Sequence, residues 1–276
     1  MLPDKIYNCH THVHKDQSID ERLKIWDEWH VEKAFVQVLH SESDPASNWM
    51  GNAEVAALIR EHPDRIVGFG KVNIDLDKLD DTSAIDRLKA MGFTGLKFIG
   101  PSWPYDDERF YPIYERAADL KMPILFHTGY LASYGEQGRL RVSSDKMRAM
   151  LLDTIARAFP ALKIIMAHLG NPEFETGLYL TTEFKNIYGE FSGGGGQKPR
   201  ETTLRKLFRP LPGADMADPG ENLALTWFKK LCFATDNPEP PRWVPVVQRL
   251  LDELQIPAET RELYWWKNAA SLIGDA

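Results

Sequence analysis

Eight short apolar runs are spread along this chain, and longer stretches with helical spacing separate most of them. The runs are residues 5–8 (KIYN), 34–39 (AFVQVL), 66–72 (IVGFGKV), 94–99 (TGLKFI), 123–127 (PILFH), 163–168 (KIIMAH), 187–191 (IYGEF) and 231–236 (LCFATD). Runs this short and this apolar suit strands buried on both faces, as in a parallel sheet. Their alternation with helices is the sequence form of βα units. Eight units in 276 residues give about 35 residues each, which predicts an α/β fold, a (β/α)8 TIM barrel built as one domain over residues 1–276.

The spacing predicts helices over 20–30, 52–61, 82–91, 111–120, 144–159 and 242–254. Asp20, Asn52 and Ser144 are suitable N-caps, and Gly92 and Pro160 follow the ends of two of these segments. Residues 192–220 hold Gly193 to Gly196, Pro199, Pro210, Pro212, Gly213, Pro219 and Gly220, too much punctuation for one continuous helix. A long loop is therefore expected after strand seven, a short helix near 221–230 before strand eight, and a C-terminal helical extension after residue 255.

Composition narrows the function classes. Lys and Arg number 33 against 40 Asp and Glu, a formal charge of −7, so the chain has no general attraction for phosphate backbones or anionic membranes. The start, MLPDKIYNCH, lacks the pattern of a secretory signal, and no apolar run reaches the 18 residues of a membrane span. Two cysteines, Cys9 and Cys232, cannot build a disulfide framework. The expectation is a cytoplasmic protein with no nucleic-acid or membrane partner.

Chemistry concentrates at strand ends. His10, His12 and His14 follow strand one, His127 ends strand five, His168 ends strand six, and Asp236 ends strand eight, which lies beside strand one once a barrel closes. The C-terminal ends of the strands form the active-site mouth of such a barrel. Two histidines at i and i+2 in extended chain share a face, so His10 with His12, or His12 with His14, can address one ion. Neutral imidazoles with a carboxylate suit Zn²⁺ and similar divalent metals. His30 and His62 sit at predicted helix ends, where a cation suits the dipole, and His40 opens the loop after strand two.

The stretches NCHTH (8–12), RIVGFGKVN (65–73), GLKFI (95–99), RFYPIYERAADLKMPILFHTG (109–129), AFPALKIIMAHLGNP (158–172), GEFSG (189–193), ATDNP (234–238) and KNAASL (267–272) run the length of the chain. In their order they resemble the amidohydrolase superfamily, and most closely its branch of aminocarboxymuconate semialdehyde decarboxylase-like, amidohydrolase-related proteins. The resemblance implies a TIM barrel whose divalent metal, Zn with Mn as the other candidate, is held by His10, His12, His127 and Asp236, leaving His14 in a loop. It implies catalytic roles for His168 and Asp236. Asn8 stands where the family often has an aspartate, a departure that touches the support of the ligands more than ligation. Lys97 in GLKFI matches the lysine that some members carry carboxylated between two metals; in this branch the resemblance implies one ion, and two if Lys97 is carboxylated. It reads equally as an unmodified positive charge near the substrate or as a side chain snorkelling from a helix-facing position. The metal-dependent deoxyribonucleases, with a similar first motif, would show Glu at that strand.

The activity implied is hydrolysis of a small-molecule amide, lactone or ester by metal-activated water, with Asp236 accepting the proton and His168 polarising the carbonyl or protonating the leaving group. The same ligands serve non-oxidative decarboxylation of a small carboxylic acid, the alternative. A barrel reduced to a binding module would show a broken ligand set, and here the set is intact. Arg139, Arg141 and Arg148 after strand five, with Lys198, Arg200 and Arg205 after strand seven, suit a carboxylate-bearing substrate, although each reads equally as a solvated charge. Trp49, Trp103 and Tyr105 could stack on a ring. The candidate substrate contacts are Trp103, Tyr130, Arg141 and Arg148, and a homo-oligomer is compatible with all of this.

Overall fold

The computed structural model describes residues 2–40, 47–74, 82–131, 142–193, 197–237 and 239–275, with side chains left undescribed at 197–200. Seven strands, β1 (Ile6–Thr11), β2 (Val31–Gln37), β3 (Ile66–Lys71), β4 (Gly95–Phe98), β5 (Ile124–His127), β6 (Ile164–Ala167) and β7 (Ile187–Gly189), pair in chain order. Every pairing is parallel. The first helices return the chain between strands: α1 (Ile19–Glu28), α2 (Asn52–Glu61), α3 (Ser83–Ala90), α4 (Tyr111–Asp119), α5 (Leu151–Ala158) and α6 (Phe174–Glu183). After β7 come α7 (Gln197–Phe208), α8 (Ala224–Trp227) and α9 (Pro240–Glu253), then α10 (Ala258–Glu262), a π turn at Leu263–Lys267, and α11 (Asn268–Ile273). This is the TIM-barrel architecture expected from the alternating runs. Among the described residues no helix is long and apolar enough to cross a membrane.

The eighth run closes the sheet without forming a regular strand. Leu231 bridges Gly189 of β7 and Asp236 bridges Thr11 of β1, both in the parallel sense. Cys232 N donates to Gly189 O (2.8 Å) and Cys9 N donates to Phe233 O (2.9 Å), so 231–236 touches both sheet edges. Regular pairing fails because Phe233 N turns to Tyr264 O (2.8 Å), while Thr235 N (3.2 Å) and Asp236 N (2.8 Å) both donate to His10 O.

Several helices depart from expectation for identifiable reasons. Ser18, not Asp20, caps α1, its hydroxyl accepting from Glu21 N at 3.3 Å. The segment 144–159 splits into a 3₁₀ turn at Ser144–Met147 and α5, because the Lys146 and Met147 carbonyls accept from Tyr105 N (3.2 Å) and Gly129 N (3.0 Å) of neighbouring loops. Helix α6 was hidden by weak helix formers; its Gly177 is required because a Cβ there would lie 2.5 Å from Leu169 O. The stretch 192–220 is not all loop. Helix α7 occupies part of it, with Pro199 in the first turn, where a missing N–H costs nothing, and Leu204 and Phe208 buried four residues apart.

Alternate strand residues fill the barrel. Tyr7, Cys9, Phe35, Val67, Phe69, Leu125, Ile165 and Cys232 form the interior cluster, and Ala269, Ala270 and Leu272 of α11 join it, so the C-terminal extension plugs one end. Each buried Val, Leu, Ile or Phe among them contributes roughly 1.5–3 kcal/mol of transfer free energy. Opposite faces pack on helices with spacing of three and four, as in Leu152, Ile155 and Ala156 of α5 or Val244, Val247 and Leu251 of α9. Both cysteines are free and buried. Phe69 stacks on Phe35 with centroids 5.3 Å apart, and a Cβ on Gly95 would meet the Phe69 ring at 2.4 Å. Gly95→Ala therefore overpacks the interior, and a loss of about 1–3 kcal/mol in chemical denaturation is expected.

Candidate metal centre

Strand β1 delivers two histidines to the mouth because its pairing with β2 slips between Asn8 and Thr11. A bulge of this kind re-aims side chains: Cys9 packs into the interior cluster while His10 reaches the mouth. Both ends of this segment are tied down. Asn8 Nδ2 donates to Thr235 Oγ1 (2.9 Å) and its Oδ1 accepts from Thr235 N (3.1 Å) and His10 N (3.4 Å). Arg22 of α1, 6 % exposed, donates to the His12 carbonyl and to Thr11 Oγ1 (3.0 Å) and pairs with Glu239 (3.2 Å).

Three donor groups converge. His10 Nε2 and His12 Nε2 lie 3.1 Å apart, and Asp236 Oδ1 is 3.2 Å from the His12 nitrogen and 3.6 Å from that of His10. His12 Nδ1 faces the Gln37 carbonyl at 2.9 Å. A carbonyl only accepts, so that nitrogen carries the proton in the neutral ring and Nε2 turns a lone pair toward the carboxylate. Lone pairs crowded around one point fit a divalent cation, and two imidazoles with a carboxylate are a donor set such ions accept. Asp236, like His168 and Leu169, has a positive φ (59°, 64° and 48°), the strained conformation that recurs at functional sites.

Electrostatics keep the cluster ready for a cation. Burial, then the charge of Lys97, lowers the pKa of His10 well below its ordinary value, and burial with His168 and Lys97 does the same to His127, so both rings are neutral at neutral pH. Burial alone would raise the pKa of Asp236; the proximity of His12, His10 and His168 outweighs this and holds its carboxyl well below the usual carboxylate range. Lys97 is 1 % exposed with Nζ 3.2 Å from His10 Nε2, and burial pushes its ammonium down to about 8.

His168 and His127 stand beside the trio. His168 Nδ1 lies 2.7 Å from the Ser192 carbonyl, which leaves Nε2 with the lone pair, so the neutral ring accepts a proton before it can give one. The ring of His127 meets that of His168 edge to face at 4.8 Å, and its Nε2 faces the Tyr130 carbonyl at 3.1 Å. His127 is thus in the mouth but outside the three converging donors. His14 stacks on Trp49 at 3.7 Å, also outside them.

Trp103 packs under the Arg109 guanidinium at 3.9 Å, Tyr130 is 68 % exposed, and Arg148 is at the surface against Glu173 (2.8 Å) and Asp145 (3.7 Å). Arg141 lies outside the described residues. Two residues at the site escaped sequence reading. Glu190, fully buried, has Oε1 2.7 Å from His10 Nδ1; it was legible in principle as the one charge in the run IYGEF, by the strand-end criterion that found the histidines. Arg22 carried no sequence signal. A second trio, His10, His168 and Glu190, also brings donor atoms close. Its carboxylate is already engaged by His10 and by the backbone N–H groups of His168 (3.3 Å) and Ser192 (2.5 Å), so the trio supports the site rather than forming another.

Two tests follow from this geometry. Gly193 has φ 71°, and a Cβ on it would stand 2.4 Å from Asp236 Oδ2; Gly193→Ala should displace that carboxylate and weaken divalent-ion binding at least tenfold in chelator competition. Unfolded, Lys97 titrates near 10.5, so its folded value of about 8 withdraws roughly 3 kcal/mol at pH below 8, a loss that fades as pH rises toward 10.5. Lys97→Met should accordingly stabilise the metal-free protein at pH 7 and lose that advantage near pH 10, as read from denaturation midpoints.

Comparison with known proteins agrees with this architecture. The chain is similar in fold to a probable 2-pyrone-4,6-dicarboxylic acid hydrolase of Acinetobacter baumannii solved with citric acid bound, at TM-score 0.65 and 14% identity, over 98% of this chain and 99% of that one. It is similar to 2,6-dihydroxybenzoate decarboxylase from Rhizobium, at TM-score 0.62 and 16% identity over 99% of each chain. A dihydroxybenzoic acid decarboxylase from a Polaromonas species, with manganese and 2-nitroresorcinol bound, matches at TM-score 0.59 and 19% identity, over 94% of this chain and 86% of that one. At these identities the likeness is one of fold. A family model described as amidohydrolase matches residues 7–274, nearly the whole length, and the chain belongs to that family.

Proposed function

We propose that the chain is a metal-dependent hydrolase of a small, carboxylate-bearing amide, lactone or ester. The observation that carries this reading is the convergence of His10 Nε2, His12 Nε2 and Asp236 Oδ1 beside a histidine poised to accept a proton. His127, whose Nε2 is committed to the Tyr130 carbonyl, is the proposed fourth ligand through Nδ1. Held by these residues, a divalent cation, Zn or Mn, would supply Lewis acidity toward a carbonyl and would bring the pKa of a water to about 7. His168 Nε2 takes the proton from the attacking water and returns it to the leaving nitrogen or oxygen, with the Ser192 carbonyl holding its ring. Asp236, held ionised, serves as ligand and orients the water more readily than it retains a proton.

One ion is the preferred stoichiometry, because among the described residues one set of donors converges with lone pairs to spare. Lys97 then remains an amine or ammonium beside the substrate. Carboxylation of Lys97 would bring a second ion.

The decarboxylase structures of similar fold favour a second reading, in which the ion chelates substrate oxygens and His168 or Asp236 manages the proton at the carbon losing CO₂. A screen of lactones, amides and hydroxybenzoic acids, run with metal analysis and intact mass, separates the two. Hydrolysis with one metal per chain and no added mass at Lys97 is expected. Release of CO₂ from a carboxylic acid would replace the hydrolase reading with the decarboxylase one, and two ions with a carboxylated Lys97 would overturn the single-ion reading. With the substrate so found, His168→Asn should cut turnover about 10²–10⁴-fold while metal content is unchanged, and chelation should abolish activity until the metal is restored.

A further inference from the structure

The carboxylate of Glu190 reaches both working halves of the site. It is completely buried just past the end of β7, a position where an unpartnered charge would be costly. Oε1 meets His10 Nδ1 at 2.7 Å and the backbone N–H of His168 at 3.3 Å, and Oε2 accepts from Ser192 N at 2.5 Å. Ser192 in turn offers its carbonyl to His168 Nδ1 at 2.7 Å. Both oxygens already accept from backbone N–H groups, so the carboxylate faces His10 as an acceptor and the ring nitrogen brings the hydrogen. For His10 this selects the tautomer with the proton on Nδ1, and Nε2 keeps its lone pair toward His12, Asp236 and Lys97 Nζ.

We infer that Glu190 is the positioning residue of this centre: it fixes His10 as the Nδ1–H tautomer that can ligate through Nε2, and pins the positive-φ turn that carries His168. Glu190, fully buried, acts through the two histidines. A ligating histidine whose other ring nitrogen donates to a carboxylate is held in orientation and made more basic. Here the same carboxylate also spans back to the end of β6, so ligand geometry and proton-transfer geometry are set by one side chain.

Glu190→Gln tests this because it conserves shape. With its oxygen toward His10, the amide NH₂ opposes the Ser192 N–H; reversed, the NH₂ faces His10 Nδ1 and drives the proton to Nε2. The tautomer is read in the metal-free full chain from the imidazole ¹⁵N shifts of His10, and zinc affinity is read by chelator competition. The affinity arm rests on the metal reading proposed above; the tautomer arm does not. Expected are an Nδ1–H His10 in the wild type, a changed ¹⁵N signature in Glu190→Gln, and zinc affinity lower by about 10–100-fold. Should Glu190→Gln not fold, the wild-type spectrum alone decides, since Nε2–H at His10 overturns the inference. Glu190→Gln binding zinc within twofold of a zinc-binding wild type also overturns it. A wild type that holds His10 as Nδ1–H yet binds no zinc removes the metal reading while upholding the assignment of Glu190.

Discussion

The joint between β1 and residues 231–236 is the constraint on which both the barrel and its mouth depend. Asn8 clamps Thr235 through side chain and backbone, and the His10 carbonyl accepts from Thr235 N and Asp236 N together. These contacts close the sheet where an eighth strand would stand. They also set the distances among His10, His12 and Asp236, because the residues that form the joint are, or adjoin, these candidate ligands. Bending Asp236 to φ 59° ends strand-like pairing and aims its carboxylate across the joint. Closure of the barrel and assembly of the donor trio are one structural event.

Such a mouth is expensive for stability. Lys97, His10 and Glu190 are almost wholly buried, in surroundings where each would prefer water. They are tolerated because they face one another: the charge of Lys97 is drawn toward Asp236 and Glu190, and the rings stay neutral. The apolar layers beneath, from Tyr7 to Phe69 and the α11 plug, offset this cost and keep water from the floor of the site. A polar cap on a dry, filled barrel lets electrostatic interactions act at short range in a low dielectric.

Much of the fold was legible because strands buried on both faces leave a dense apolar signature. The seven strands of the sheet lie on predicted runs, with ends moved by a few residues. What escaped had weak local signals. Helix α6 is built partly from Gly and Thr, and α7 tolerates a proline that argued against any helix there. The break in 144–159 was invisible because its cause is remote, the loop N–H groups of Tyr105 and Gly129 that take the carbonyls.

At the site, residue type and strand-end position singled out His10, His12, His14, His127, His168 and Asp236, since the C-terminal ends of barrel strands share a mouth, and the family resemblance set His14 aside. The sequence by itself therefore determined the barrel, the family and the stock of metal-binding groups. Only the tertiary structure decided which of them converge: His10, His12 and Asp236 meet, His127 turns to a backbone carbonyl, and Arg148 is occupied at the surface. It also decided that Glu190 belongs to the site. The reason is that tautomer, hydrogen-bond direction and donor separation depend on groups far apart in the chain, 180 residues in the case of His10 and Glu190, and local periodicity carries no information about them.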